Sequence, residues 1–318
     1  VPRNVTDVVW NGIRQTYKVR TRLGHELTAT DNHPLRTFEG WKTISELTVG
    51  DKVAVARKIQ IRDGVDWPDH HVVCLGWLLS EGSMCHPTCL YFYSNDEKQI
   101  KDFASAAEEF PNTIARVDQR AGGRFEVCLS TGRDMKLGNL DQAGVGTAVA
   151  ARRITGVRCG AFVWAKKLGL LGYGATKKKL PEEANRLGKD QTALLLGRLW
   201  AGDGYVEETG QQSYYATSSQ ELAFDVQYLL RRLGIVSRVT EKTFRYTYKG
   251  IEKPRIGFTV HLVGYESCIS FLNIVGPHIV GKGLSVERAK QRLCSRLAKT
   301  TGDLIPTSVR KIVAEHRV

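Results

Sequence analysis

Two stretches decide the fold: LGWLLSEG at 75–82 and LLGRLWAGDG at 195–204. Each is a nearly unbroken apolar run that closes on an acid and a glycine, Glu81-Gly82 in the first and Asp203-Gly204 in the second. Such a run reads as an apolar helix. The acid-glycine pair reads as its end, with Gly82 and Gly204 expected in the left-handed conformation common there. The segments downstream repeat as well. YFYSNDEKQIKDFASAAEEF at 91–110 and YYATSSQELAFDVQYLLRRLG at 214–234 are each a strand pattern ending at Ser94 or Thr217, then an amphipathic helix. Glu81 and Asp203 lie 122 residues apart. A period that long predicts a duplicated domain rather than a solenoid.

Small residues recur at i, i+4 on each apolar helix, Gly76 with Ser80 and Gly197 with Ala201, and so share one face. Such faces let two backbones approach closely, so the helices are expected to cross at the centre of the protein. A crossing there brings both C-terminal ends, and with them Glu81 and Asp203, to one place. Two carboxylates at negative helix ends repel each other and the helix dipoles. A divalent cation offsets this, and Mg²⁺ commonly takes one or two carboxylates plus water and substrate phosphate. On a basic chain, that arrangement fits metal-assisted hydrolysis of a phosphodiester.

The chain is basic: 318 residues carry 46 Lys+Arg against 33 Asp+Glu, a net charge of +13. Ten Lys/Arg against two Glu fall in 151–189, and eight Lys/Arg against three acids in 285–318. Clustered cations fit a solvated basic surface, and they also fit contact with a nucleic-acid backbone. At 42% hydrophobic and 25% charged residues, the composition excludes wholesale disorder. The longest apolar stretch, 72–80, is far short of the ~20 residues that span a bilayer. No basic-then-apolar leader opens the sequence, so no membrane partner and a cytoplasmic location are expected. Seven cysteines without a CxxC pair predict reduced thiols. Cys85, His86 and Cys89 crowd one turn without a fourth ligand, so buried or free thiols are expected there rather than structural zinc.

The paired helix ends resemble the LAGLIDADG motifs of homing endonucleases, specifically the double-motif kind embedded in inteins. KKKLPEEANRL at 177–187 resembles the Lys-x-Ile-Pro block before the second motif. The stretch 217–235 resembles the block after it, and FLNIVGPHIVGKGLS at 271–285 the later block that ends near a functional lysine. The resemblance spans 72–285. It implies an α+β fold of two αββαββα-like halves, about 72–170 and 190–285, related by a pseudo-twofold axis and acting as a monomer. It implies a site-specific double-strand DNA endonuclease using Mg²⁺, with Glu81 and Asp203 as metal-binding acids and Lys178 and Lys282 as active-site lysines. Read without the resemblance, Lys178 is one of a solvated triplet, Lys177 to Lys179. Glu81 stands one methylene longer than the usual Asp, which motivates a second expectation: a DNA-binding protein of this fold that has lost cleavage. The family's sheets lie in the DNA major groove, where strand residues read base edges. Arg120, Arg124, Gln211, Gln212, Arg245 and Lys249 are the expected readers.

Residues 1–61 read as a small all-β segment, with 62–71 the expected linker and helix from about Val72. LTATDNHPLRTFEGWKTISELTVGDKVAV at 27–55 resembles the intein block of the Hint fold with its Thr-x-x-His motif, here Thr30 and His33. The sequence opens at Val1 and closes SVRKIVAEHRV, without a Cys or Ser nucleophile or a terminal His-Asn, so it is not expected to splice in cis by itself. An excised fragment, a split-intein piece acting with a complementary fragment, and a freestanding endonuclease all fit. Residues 286–318 read as a basic helical tail, for which packing and DNA contact are both open.

Overall fold

The computed structural model describes residues 5–60, 64–120, 122–131, 158–210, 212–248 and 250–295. At its centre stand two helices, α1 (Asp69–Ser80) and α4 (Lys189–Asp203), with α2 (Glu97–Glu108) and α3 (Gly160–Lys167) between them in the chain. Every residue of α1 from Val72 to Ser80 is buried, which is why this helix lacks an exposed polar face. It begins at Asp69, three residues before the expected start. Pro68 precedes its first turn, Asp69 suits the positive N-terminal end, and the His71 ring stacks on Phe110.

Around the pair, the repeat is visible element by element. The first half runs α1, β5 (Gly82–Ser83), β6 (Leu90–Ser94), α2, β7 (Ile114–Gln119), β8 (Phe125–Ser130), α3. The second runs α4, β9 (Gly204–Tyr205), β10 (Tyr214–Thr217), α5 (Gln220–Arg232), β11 (Ser237–Tyr248), β12 (Ile251–Leu262), α6 (Tyr265–Ile274). The sheets have the same order, β5-β6-β8-β7 and β9-β10-β12-β11, all antiparallel. Gly82 pairs with Phe92 where Gly204 pairs with Tyr215, so the register confirms the duplication. The inner sheet faces carry Leu90, Phe92, Val127 and Leu129 in one half and Tyr215, Val239 and Val260 in the other, and all join one core with both central helices. The fold is α+β, two αββαββα halves.

Ahead of the halves lies the small β segment: a hairpin of β1 (Thr16–Arg20) and β2 (Glu26–Thr30), then one of β3 (Pro34–Arg36) and β4 (Trp41–Thr43). Its first turn docks on the second half, where Leu23 O accepts from Val239 N at 3.1 Å and from Gln227 Nε2 at 2.8 Å. Behind the second half, α7 (Gly283–Cys294) buries Val286, Ala289 and Leu293. Packing therefore accounts for this part of the basic tail; 296–318 lies outside the described residues. No helix among the described residues is long and apolar enough to cross a membrane.

Candidate active site

The crossing works through glycine, but not wholly through the expected ones. A Cβ on Gly76 would stand 2.5 Å from Arg198 Cβ, and one on Gly202 would stand 2.6 Å from Ser80 Oγ and 3.3 Å from Glu81 Cγ. Counted back from the two acids, Gly76 and Arg198 occupy equivalent positions, as do Ser80 and Gly202. Each small residue thus faces its own counterpart on the other helix, as a pseudo-twofold axis between α1 and α4 requires. Gly197, expected at this crossing, faces the other way: its Cβ would lie 2.3 Å from His278 Cβ. It lies six residues before its acid, whereas Gly76 lies five before, and one residue turns a helix by about 100°. Gly82 and Gly204 also differ from expectation. Neither has a positive φ, and Gly204 is extended at φ −95°. Each opens a strand folded tightly back on its helix, where a Cβ would meet Leu78 Cα or the Trp200 ring at 2.5 Å.

This crossing brings the four expected site residues together. Glu81 caps α1 and Asp203 ends α4. Lys178 Nζ donates to Ser80 O at 2.7 Å, at the end of α1. Lys282 Nζ donates to Trp200 O at 2.9 Å and Gly204 O at 2.5 Å, at the end of α4. Each ammonium therefore satisfies helix-terminal carbonyls and opposes the negative end of one helix. Lys178 is only 6% exposed between the exposed Lys177 and Lys179, so it is no member of a solvated triplet.

The electrostatics are those of one cluster. Burial, and then Glu81, push the Asp203 carboxyl up to about 7, against the pull of Lys178 and Lys282. Burial lowers both lysines from their ordinary values, opposed first by Asp203 and then by Glu81. A carboxylate that resists ionisation beside another is a fitting seat for a hard divalent cation. Among the described residues, no group of three or more His, Cys, Asp or Glu gathers to hold a metal. Glu81 and Asp203 are the two carboxylates of this cluster that could hold a metal. All seven cysteines are free thiols.

The expected readers scatter more widely. Gln211 and Lys249 lie outside the described residues. Gln212 is exposed in the loop before β10, its backbone N donating to Glu207 Oε2. Arg120 is ion-paired with Glu126, and Arg124 lies 5.1 Å over the Tyr93 ring. Arg245 shares its sheet face with the core residue Val239, not the outer face, and pairs with Glu252 at 3.1 Å. The outer face of the second sheet instead carries Arg238, Lys242 and Arg255, near Tyr205, Tyr214 and His261. Alternation along β11 could have separated the two faces, had the register of its pairing been known. Thr30 and His33 share one turn, where His33 N donates to Thr30 O at 3.1 Å; His33 is exposed.

Known proteins share parts of this chain. It is 27% identical over 304 residues to the replicative DNA helicase DnaB of Rhodothermus marinus, covering 94% of the chain and 30% of the relative. It is 26% identical over 241 residues to a DNA gyrase subunit of Mycobacterium kansasii, covering 72% of the chain and 40% of the relative. The chain therefore spans about a third of the length of the helicase relatives. A solved structure of the homing endonuclease I-DmoI in complex with DNA and Mn aligns with 65% of this chain and 96% of its own, at 12% identity and a TM-score of 0.39. Residues 190–276, from the start of α4 past the end of α6, match the family model of the LAGLIDADG-like domain, so the half that ends its central helix on Asp203 is similar to that family.

Proposed function

We propose that this chain is a site-specific double-strand DNA endonuclease, a homing endonuclease of the kind carried in inteins, acting as a monomer with Mg²⁺. One observation carries the reading: two carboxylates, the buried Lys178 and the half-buried Lys282 meet where two buried helices end together. Glu81 and Asp203 would hold the cation, which when bound polarises the scissile phosphate and acidifies its water. Lys178 and Lys282 hold protons at Nζ beside that pair, oriented by helix-end carbonyls. Their charge opposes the charge that develops on the phosphate oxygens. Their lowered pKa values ease proton exchange with a nearby water. The cationic outer faces of the sheets would bind the duplex backbone.

The intein context is supported by the relatives. Helicase and gyrase are unlike proteins, yet each matches this chain over a minor part of its own length. A segment shared that way fits one that inserts into different hosts. The β1–β4 segment with Thr30 and His33 fits descent from a Hint domain, and a complementary fragment would make it a splicing partner. Glu81 favours a second reading, a DNA-binding protein that has lost cleavage.

The test is incubation with a randomised duplex library, and with helicase-gene DNA that lacks the inserted segment, in Mg²⁺ or in chelator. Mg²⁺-dependent double-strand cuts support the endonuclease. Sequence-specific binding without cuts supports the cleavage-deficient reading, and peptide ligation with a complementary fragment the splicing one. A protein that neither binds nor cuts any duplex overturns the proposal.

A further inference from the structure

The segment that presents Lys178 is held from both sides by α5. Ser219 Oγ donates to the Lys178 carbonyl at 2.5 Å, and Leu180 N donates to Asp225 Oδ2 at 2.8 Å. Ser219 is fully buried and also caps α5, accepting from Leu222 N at 3.2 Å. The lysine thus leaves a backbone pinned to the second half and reaches Ser80 O on the first. Asp102, at the position of α2 equivalent to Asp225, serves the other lysine less directly. It grips Arg198 through two 2.8 Å bonds, and Arg198 Nη1 holds His278 O, four residues before Lys282.

We propose that Asp225, with Ser219, is a positioning residue for Lys178: it fixes the backbone so that the ammonium stays at the end of α1 beside Glu81 and Asp203. The inference rests on the endonuclease reading for its consequence, but the clamp is tested without DNA. Burial keeps the Asp225 carboxyl at about 6, above its ordinary range. A carboxylate kept at that cost while it accepts from Leu180 N fits a functional role.

The experiment compares wild type, Asp225→Ala, Asp225→Asn and Ser219→Ala. The free proteins are treated with acetic anhydride, and Lys178 is read by peptide mass spectrometry against Lys177 and Lys179. Lys178 should be acetylated at least tenfold faster in Asp225→Ala and in Ser219→Ala, with the two neighbours unchanged. Asp225→Asn keeps an oxygen that accepts from Leu180 N, and should match wild type. On a duplex that the wild type cuts, Asp225→Ala should lower kcat about a hundredfold with KM unchanged, and Asp225→Asn should restore it. If Asp225→Ala fails to fold, Ser219→Ala carries the labelling comparison. A folded Asp225→Ala or Ser219→Ala whose Lys178 stays as protected as in wild type overturns the clamp. Faster labelling in a protein that cuts no duplex upholds the clamp and counts against the endonuclease instead.

Discussion

The two halves share one topology yet differ in what they present. In the first, β7 and β8 pair over six residues, and the outer face mixes signs. Arg116 bonds Asp118 at 2.8 Å, Arg120 pairs with Glu126, and Arg124 lies over Tyr93. In the second, β11 and β12 continue for seven pairs beyond Glu241–Phe258. Its outer face carries Arg238, Lys242 and Arg255 without an acid among the described positions on that face, and His261 is held low by burial and then by Lys242 and Arg238. The inner residue facing the helix-ending glycine also differs, Phe92 in one half and Tyr215 in the other. Duplication therefore preserved the frame that joins the helix ends, while the faces and the arms diverged. The lesson is that the cluster at the helix ends belongs to neither half, whereas the outer face that carries cations without an acid, among the described positions, belongs to the second.

The sharpest way to break this comparison is Asp203→Ala. If the site is shared, cutting of both strands should fall by about a thousandfold or more, as expected when a metal ligand and its charge stabilisation are lost together. Gel-shift affinity should stay within a few fold. Loss of one strand's cleavage alone would mean two independent sites. Next come Lys178→Met and Lys282→Met, each expected to cost about 10²–10³ in rate. Because the lysines serve opposite helix ends, single-turnover assays with either strand labelled should show opposite strand preferences. Gly202→Val tests the frame itself. Its added atoms would collide with Ser80 Oγ at the crossing, costing about 1–3 kcal/mol or more in chemical denaturation. The same substitution at Gly188, where a Cβ meets nothing within 4 Å, should cost far less.

Smaller effects probe the faces. Replacing Lys242 and Arg255 by Gln should reduce the slope of log K against log salt by about two units, with Arg116→Gln changing it less, because Arg116 is already paired with Asp118. Equal slopes would remove the asymmetry. The smallest effect belongs to Arg245→Ala. Its exposed pair with Glu252 is worth about 0.5 kcal/mol or less, so thermal melts should barely move.

Much of the fold was legible because duplication writes itself twice. Two apolar runs ending in acid-glycine, each followed by strand and helix at matched spacing, suffice to infer two halves and a meeting of Glu81 with Asp203. Lys178 and Lys282 were legible only through family resemblance, since a lysine's burial leaves no mark on its neighbours in sequence. Gly197 misled because small residues advertise close approach without naming the partner; it approaches His278, while Gly202 meets Ser80. Ser219, Asp225 and the Asp102–Arg198 pair were invisible for a related reason: a capping serine and a helical aspartate are ordinary until their distant acceptor or donor is known.

Local chemistry along the chain was enough to determine that this protein is basic, duplicated and built on two apolar helices ending in acids, because hydrophobic period and charge are properties of neighbours in sequence. Which glycines touch, which lysine is buried and which arginines share the outer face were settled only by the tertiary structure. Helix rotation and strand register set those contacts, and both are decided by packing across segments more than a hundred residues apart.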